Sequence, residues 1–288
     1  MAEKIIIASD STSDLNSELI SKYNVKILPL GVFIGNKQYT DGVDINPDMI
    51  YEQYAKTGEL PKTSAVNIAQ AEDFFEECVK DGYSVICFTI SSDMSSTYSN
   101  IALAAENYNN VHVVDTRNLS TGGGLLVVAA AEMAAKGDMT AKEIAQKCRE
   151  MTPCVDASFV IDSLEFLYKG GRCSALAMFG ANALGLKPCI TVKNGKMGVG
   201  KKYRGKFDKV LLQYVADRIG DGSDICLDRV FVTHAGCDEA IYMSCVEKVK
   251  ELAPFAEVHI TRAGCTISSH CGQNCLGVLF VRKNPIEG

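Results

Sequence analysis

The chain has 288 residues, 47% of them apolar, and carries 29 Lys and Arg against 35 Asp and Glu, a formal charge of −6. That length supports a full core and, as a prior, two domains, while the acidic balance and an isoelectric point near 5.3 argue against a nucleic-acid binder, whose phosphate contacts need clustered cations. No apolar run is long enough to cross a bilayer, since Leu125 to Ala135 is interrupted by Glu132, and Met1-Ala2-Glu3-Lys4 leads straight into a strand with no secretory h-region, so a cytoplasmic protein without stable membrane insertion is expected.

In chain order, strands are expected at Lys4 to Ala8, Val25 to Leu30, Ser84 to Ile90 and Val111 to Val114. Between them fall helices from Asp14, near Pro47 to Thr57, at Ile68 to Lys80 and from Thr97. This βαβ rhythm predicts a mostly parallel sheet covered on both faces, an α/β/α layer. Helices from Gly124 and Thr140 close the half, the second with capping-box spacing to Glu143. A boundary is expected at Thr152-Pro153, giving domains 1–152 and 153–288. Beyond it, Ala175 to Leu186 reads as an apolar helix, either simply buried or, through its many Ala and Gly residues, leaving room beside it for something long and apolar. Pro188 to Val192 and Lys196 to Val199 flank Asn194-Gly195 as a hairpin, because both turn residues tolerate positive φ. Helices at Phe207 to Ile219 and Glu239 to Leu252, with strands at Arg229 to Thr233, Ala256 to Thr261 and Leu276 to Val281, complete a second α/β domain on a mixed sheet.

Chemistry concentrates in Ser91-Ser92-Asp93-Met94-Ser95-Ser96-Thr97, five hydroxyls between a buried strand and a helix. Open α/β sheets bind ligands at that edge, and a helix N-terminus with hydroxyls suits a carboxylate or phosphate. N-capping explains one or two of the hydroxyls and leaves the others over. Ser9 to Asp14, Thr63-Ser64 and Asp115-Thr116 occupy similar junctions and would converge if the sheet is parallel; the aspartates are equally readable as helix caps. Gly122-Gly123-Gly124 matches neither a dinucleotide fingerprint nor a P-loop, and close helix packing is its alternative. Arg172 follows Gly170-Gly171, a spacing equally suited to interdomain packing. His270 sits in a polar turn, Ser268 to Gly272, where a neutral imidazole can donate to an anion or serve structure alone. With Cys265, Cys271 and Cys275 it forms a Cys/His cluster lacking a paired C-x-x-C, so no metal is expected, and the twelve cysteines read as reduced, mostly buried thiols. No G-x-S-x-G elbow or readable Ser-His-Asp spacing is present.

The Ser-rich turn, the block Leu164-x-x-Leu167-x-x-Gly170-Gly171-Arg172, Thr63-Ser64, Asp115-Thr116, Leu186-Lys187-Pro188, Arg204 and Gly264 to His270 together resemble the DegV family of bacterial lipid-binding proteins across nearly the whole chain. The resemblance implies two α/β domains with one long-chain fatty acid between them and no catalysis by the chain itself. Some family members present the acyl carboxylate to a separate ATP-using fatty-acid kinase. By position, Thr63 and Ser95 would donate to the carboxylate with Ser64 and Ser96 beside them, and His270 would join from the second domain. Arg172 would support the site, and Arg204 would stand at the mouth facing the kinase. The sequence departs from the family pattern at Val66, usually proline, at Ser96, usually glycine, and at Cys271 to Asn274, usually Gly-Pro-Gly, which bears on head-group geometry. Two other readings stand beside this one: a serine esterase or thioesterase with Ser95 or Ser96 as nucleophile and His270 as base, and a carrier of another amphiphilic acid.

Overall fold

The computed structural model describes residues 3–174 and 185–286. Its first half contains β1 (Ile5–Asp10), α1 (Ser17–Tyr23), β2 (Lys26–Leu28), β3 (Gly31–Ile34), β4 (Lys37–Thr40), α2 (Pro47–Thr57), β5 (Lys62–Ser64), α3 (Ile68–Val79), β6 (Ser84–Thr89), α4 (Thr97–Ala105), β7 (Val111–Asp115), α5 (Thr121–Lys136) and α6 (Ala141–Met151). Strands β2, β1, β6 and β7, in that order, form a fully parallel sheet. All six residues of β6 are buried, as expected of an apolar run covered on both faces. Side-chain caps set the helix starts: Asn16, Asn46, Asn67 and Thr140 each accept from an N3 amide, and the last two complete capping boxes with Gln70 and Glu143.

The first half holds one sheet that was not foreseen. Strands β4, β3 and β5 make a separate antiparallel sheet, so Thr63 and Ser64 stand on a strand of that sheet instead of a loop of the parallel one. The expected strand Val25 to Leu30 accordingly shortens to β2, and the chain turns at Leu28 into β3.

The second half contains β8 (Val155–Asp156), β9 (Ser158–Ile161), α7 (Glu165–Lys169), β10 (Leu186–Lys193), β11 (Lys196–Arg204), α8 (Phe207–Ile219), β12 (Ile225–Ala235), α9 (Glu239–Leu252), β13 (Glu257–Arg262), α10 (Cys265–Cys271) and β14 (Cys275–Arg282). Its seven-stranded sheet runs β11-β10-β9-β14-β12-β13 with β8 alongside β14, antiparallel except for the β12–β13 pair. The Asn194-Gly195 hairpin forms with both residues at positive φ. Residues 175–184, the bulk of the apolar helix read from Ala175 to Leu186, lie outside the described residues.

Helix α5 joins the two halves. It begins at Thr121, so Gly122 to Gly124 form its first turn, and every residue from Thr121 to Val128 is buried. A Cβ on Gly124 would come within 2.9 Å of the Leu15 side chain and the Ser13 carbonyl, so the glycine run permits close packing. One apolar cluster continues from Phe88 on β6 through Leu125 and Leu126 on α5 to Phe159 on β9, Ile267 on α10 and Leu279 on β14.

Candidate functional site

A cavity of about 470 Å³ opens where the carboxyl ends of the parallel strands face β5 and α10. Thr63, Ser64, Ser92, Ser95, Ser96, Arg172 and His270 all line it, together with Leu30, Ile90, Leu119, Leu167, Met197 and Ile267. The structure thus brings six of the seven residues singled out from sequence to one space. Arg204 is the exception, exposed at the end of β11 opposite Leu186 and absent from that lining.

The serine turn divides its labour. Ser91, fully buried, donates to the Gly195 carbonyl at 2.7 Å, and Ser92 receives a hydrogen bond from Arg117, so these hydroxyls serve the scaffold. Ser95 Oγ accepts from the Thr97 amide at 3.2 Å and lies 2.9 Å from Thr97 Oγ1, starting α4. Ser96 occupies the N-cap position without a side-chain capping bond. Its hydroxyl, like that of Ser95, lines the cavity beside the positive end of the helix dipole.

His270 is on a helix, α10, and not in the polar turn expected from sequence. Its Nε2 lies 2.9 Å from Thr63 Oγ1. Burial, with the nearby Arg172 charge, pushes its pKa down to about 4, so the ring is neutral near pH 7. Nδ1 is buried against Gly170 without a partner among the described residues. A proton on Nε2 leaves Nδ1 as an unpaired acceptor, which costs less than an unpaired N–H, and makes Thr63 Oγ1 the acceptor. The Thr63 proton is then free to point into the cavity. Arg172 donates to the Gly170 carbonyl at 2.7 Å from an exposed position on the rim. The imidazole partners Thr63, and among the described residues no hydrogen bond joins it to Ser95 or Ser96.

Three buried aspartates hold this arrangement. Asp41, which the sequence reading did not single out, accepts from the amides of Cys265 and Thr266 at 2.9 and 3.1 Å and from Thr266 Oγ1 at 2.6 Å, capping α10. Asp14 accepts from the Gly264 amide at 2.8 Å and from Ser120, and burial raises its carboxyl to about 8. Asp10 caps a 3₁₀ turn through the Thr12 amide and takes the Ile90 amide at 2.7 Å, fixing the start of the serine turn; burial raises it to about 6. Asp10 and Asp41 are therefore caps, whereas Asp14 links loops without capping a helix, and Asp10 also ties its turn to the start of the serine turn. Among the described residues, no group of three His, Cys, Asp or Glu side chains is placed to hold a metal ion. Nor is any helix of these residues long and apolar enough to cross a membrane.

Leu119, Ile267 and Cys271 also border a second, almost filled space of about 20 Å³, enclosed by Phe159, Ala235 and Leu279. Its lining is mostly apolar, with Ser120, Ser158, Thr233 and His234 also at its border, so the polar end of the site backs onto the α5–β14 core.

The family described as "Uncharacterised protein, DegV family" matches residues 4–283. A DegV domain-containing protein of Caldanaerobacter subterraneus subsp. tengcongensis is 32% identical over 98% of this chain and 100% of its own length. One from Clostridium acetobutylicum is 33% identical over 98% and 99%. Among solved structures, a fatty-acid-binding DegV family protein of Thermus thermophilus superposes with a TM-score of 0.87 at 26% identity, covering 97% of this chain and 99% of that one. A stearic-acid-binding protein of Eubacterium ventriosum superposes with a TM-score of 0.82 at 28% identity, covering 96% and 98%. With its two α/β halves, its parallel and mixed sheets and this match over nearly its full length, the chain belongs to the DegV family.

Proposed function

We propose that the protein binds one long-chain fatty acid between its two domains, divided near residues 152 and 153, and itself performs no chemistry on it. The observation that carries this reading is the meeting of the Thr63–His270 pair with Ser95 and Ser96 in one cavity that backs onto an apolar space. Thr63 and Ser95 donate to the carboxylate, Ser64 and Ser96 flank it, and Arg172 supplies positive charge at the rim. A buried carboxylate is costly unless several donors meet it. The tail runs past Leu119 and Ile267 toward Phe159 and Leu279, displacing side chains from a space that is almost closed. At roughly 0.8 kcal/mol per buried CH₂, a sixteen-carbon tail offers on the order of 10 kcal/mol before ordering costs. The tail gives affinity, and the hydroxyls fix orientation.

The exposed rim suits a handover in which a separate kinase phosphorylates the bound carboxylate. Arg204, exposed on β11, offers that partner or its phosphoryl group a positive charge. Native mass spectrometry of freshly purified protein, with analysis of its organic extract, tests the binding claim. One stoichiometric long-chain acid is expected; an empty protein that also rejects added fatty acids would end it.

A further inference from the structure

Arg117, in the loop after β7 with φ 50°, takes no part in the head-group arrangement, yet it makes five polar contacts to four residues. Its Nη1 donates to Ser92 Oγ at 2.9 Å and lies 3.6 Å from Asp115, and its Nη2 pairs with Asp93 at 2.6 Å and donates to the Asn194 carbonyl. Its own amide donates to Asp115 at 2.9 Å. Two further links cross the same gap: Ser91 Oγ to the Gly195 carbonyl at 2.7 Å, and Lys196 to Asp93 at 3.6 Å. The guanidinium lies against the hairpin tip so closely that a Cβ on Gly195 would fall 2.6 Å from its central carbon, at a residue already held at φ +81°.

These contacts fasten the tip of a long hairpin of the second sheet to the serine turn of the first half. Ser92 and Asp93 on one side of the fastening, and Met197 on the other, line the head-group cavity. We infer that Arg117 is a positioning residue for ligand retention: by clasping the β10–β11 tip to the serine turn it holds Met197 across the cavity, and opening of this clasp limits the rate of ligand release. The inference rests on the fatty-acid reading above. A planar fork suits the task, because one side chain reaches a hydroxyl, a carboxylate and a carbonyl at once, which a lysine ammonium cannot do in fixed geometry. The Arg117 side chain is 37% exposed, so dissolved ions reach its pairs.

The test is stopped-flow release of cis-parinaric acid from the wild type, R117K and R117A at low and high salt, with hydrogen exchange of the Asn194 to Gly198 amides in ligand-free protein. R117A is expected to release the probe about tenfold faster, equivalent to about 1.4 kcal/mol, with less change in association. R117K should fall between, salt should speed release from the wild type more than from R117A, where only the Lys196–Asp93 pair remains to be screened, and the hairpin amides of R117A should exchange faster. A purely structural role would lower the melting temperature without altering release from the folded protein or its salt dependence. Release and salt response equal to wild type in R117A would therefore overturn the inference. If R117A does not fold, D93N carries the same test, and unchanged release in D93N overturns it. If the wild type takes up no fatty acid, the functional reading falls with the retention role, while the exchange data separately decide whether Arg117 holds the hairpin.

Discussion

Asp41 is the residue whose loss should most damage the site without touching ligand. Its carboxylate is 3% exposed and accepts from Ser11 Oγ at 3.0 Å, Thr266 Oγ1 at 2.6 Å and the first two amides of α10 at 2.9 and 3.1 Å. Asp41→Ala leaves those two amides buried without a partner, at about 1–3 kcal/mol each. Removing the Asp41 charge, which adds a little to burial in keeping the Asp14 carboxyl high, also lessens the cost of holding Asp14 protonated and returns part of that loss. The net expectation is a loss of about 2–5 kcal/mol in urea unfolding. Asp41→Asn, which keeps one acceptor of similar shape, should lose about half as much. Because α10 also carries His270 onto Thr63, fatty-acid affinity should fall with stability in the alanine variant. A loss under about 1 kcal/mol, or an asparagine variant as damaged as the alanine one, would refute the capping argument.

Thr63→Val removes the hydroxyl that Nε2 of His270 addresses while keeping the side-chain shape, and should weaken fatty-acid binding by about 1.5–3 kcal/mol by isothermal titration; unchanged affinity would remove Thr63 from the head-group site. Asp14 should give stability a pH slope. Its carboxyl stands at about 8 in the fold against 3.8 ordinarily, so the folded chain holds a proton that the unfolded chain has released. That contribution is complete below about pH 4 and is lost as pH rises through 8. Asp14→Asn, which mimics the protonated group, should flatten the decline in urea midpoint between pH 5 and 8, and an unaltered slope would contradict the assignment. Tyr214→Phe should cost about 1–3 kcal/mol in the same assay, since the fully buried hydroxyl accepts the Val278 amide at 3.0 Å and donates to the Ser158 carbonyl at 2.7 Å; a neutral substitution would show that these groups find other partners.

What the sequence revealed and what it hid follow from where the determining contacts lie. Strand β6 announced itself because a strand covered on both faces is continuously apolar, and α6 because its capping box is local. The hairpin at Asn194-Gly195 was legible for the same reason, both turn residues being at positive φ. Helix α10 was not. Cys265 to Cys271 is short, contains no strong helix former, and gains its N-terminal partners from Asp41 and Asp14, more than 220 residues away in the chain. The sheet β4-β3-β5 escaped because its strands are three or four residues long and only partly buried, too short to establish a period. In the site, the clustered hydroxyls of Ser91 to Thr97 were visible as a group, but their division between scaffold and cavity depends on Gly195 and Asn194 across the domain gap. Arg117 and Asp41 gave no sequence signal, since each works through partners brought by folding.

The most direct test of the account is a crystal structure of the protein with a bound long-chain fatty acid. The carboxylate is expected within hydrogen-bonding distance of Thr63 Oγ1 and Ser95 Oγ, with the chain entering between Leu119 and Ile267 toward Phe159. A carboxylate away from the Thr63–His270 pair, or a tail lying outside the α5–β14 core, would contradict it.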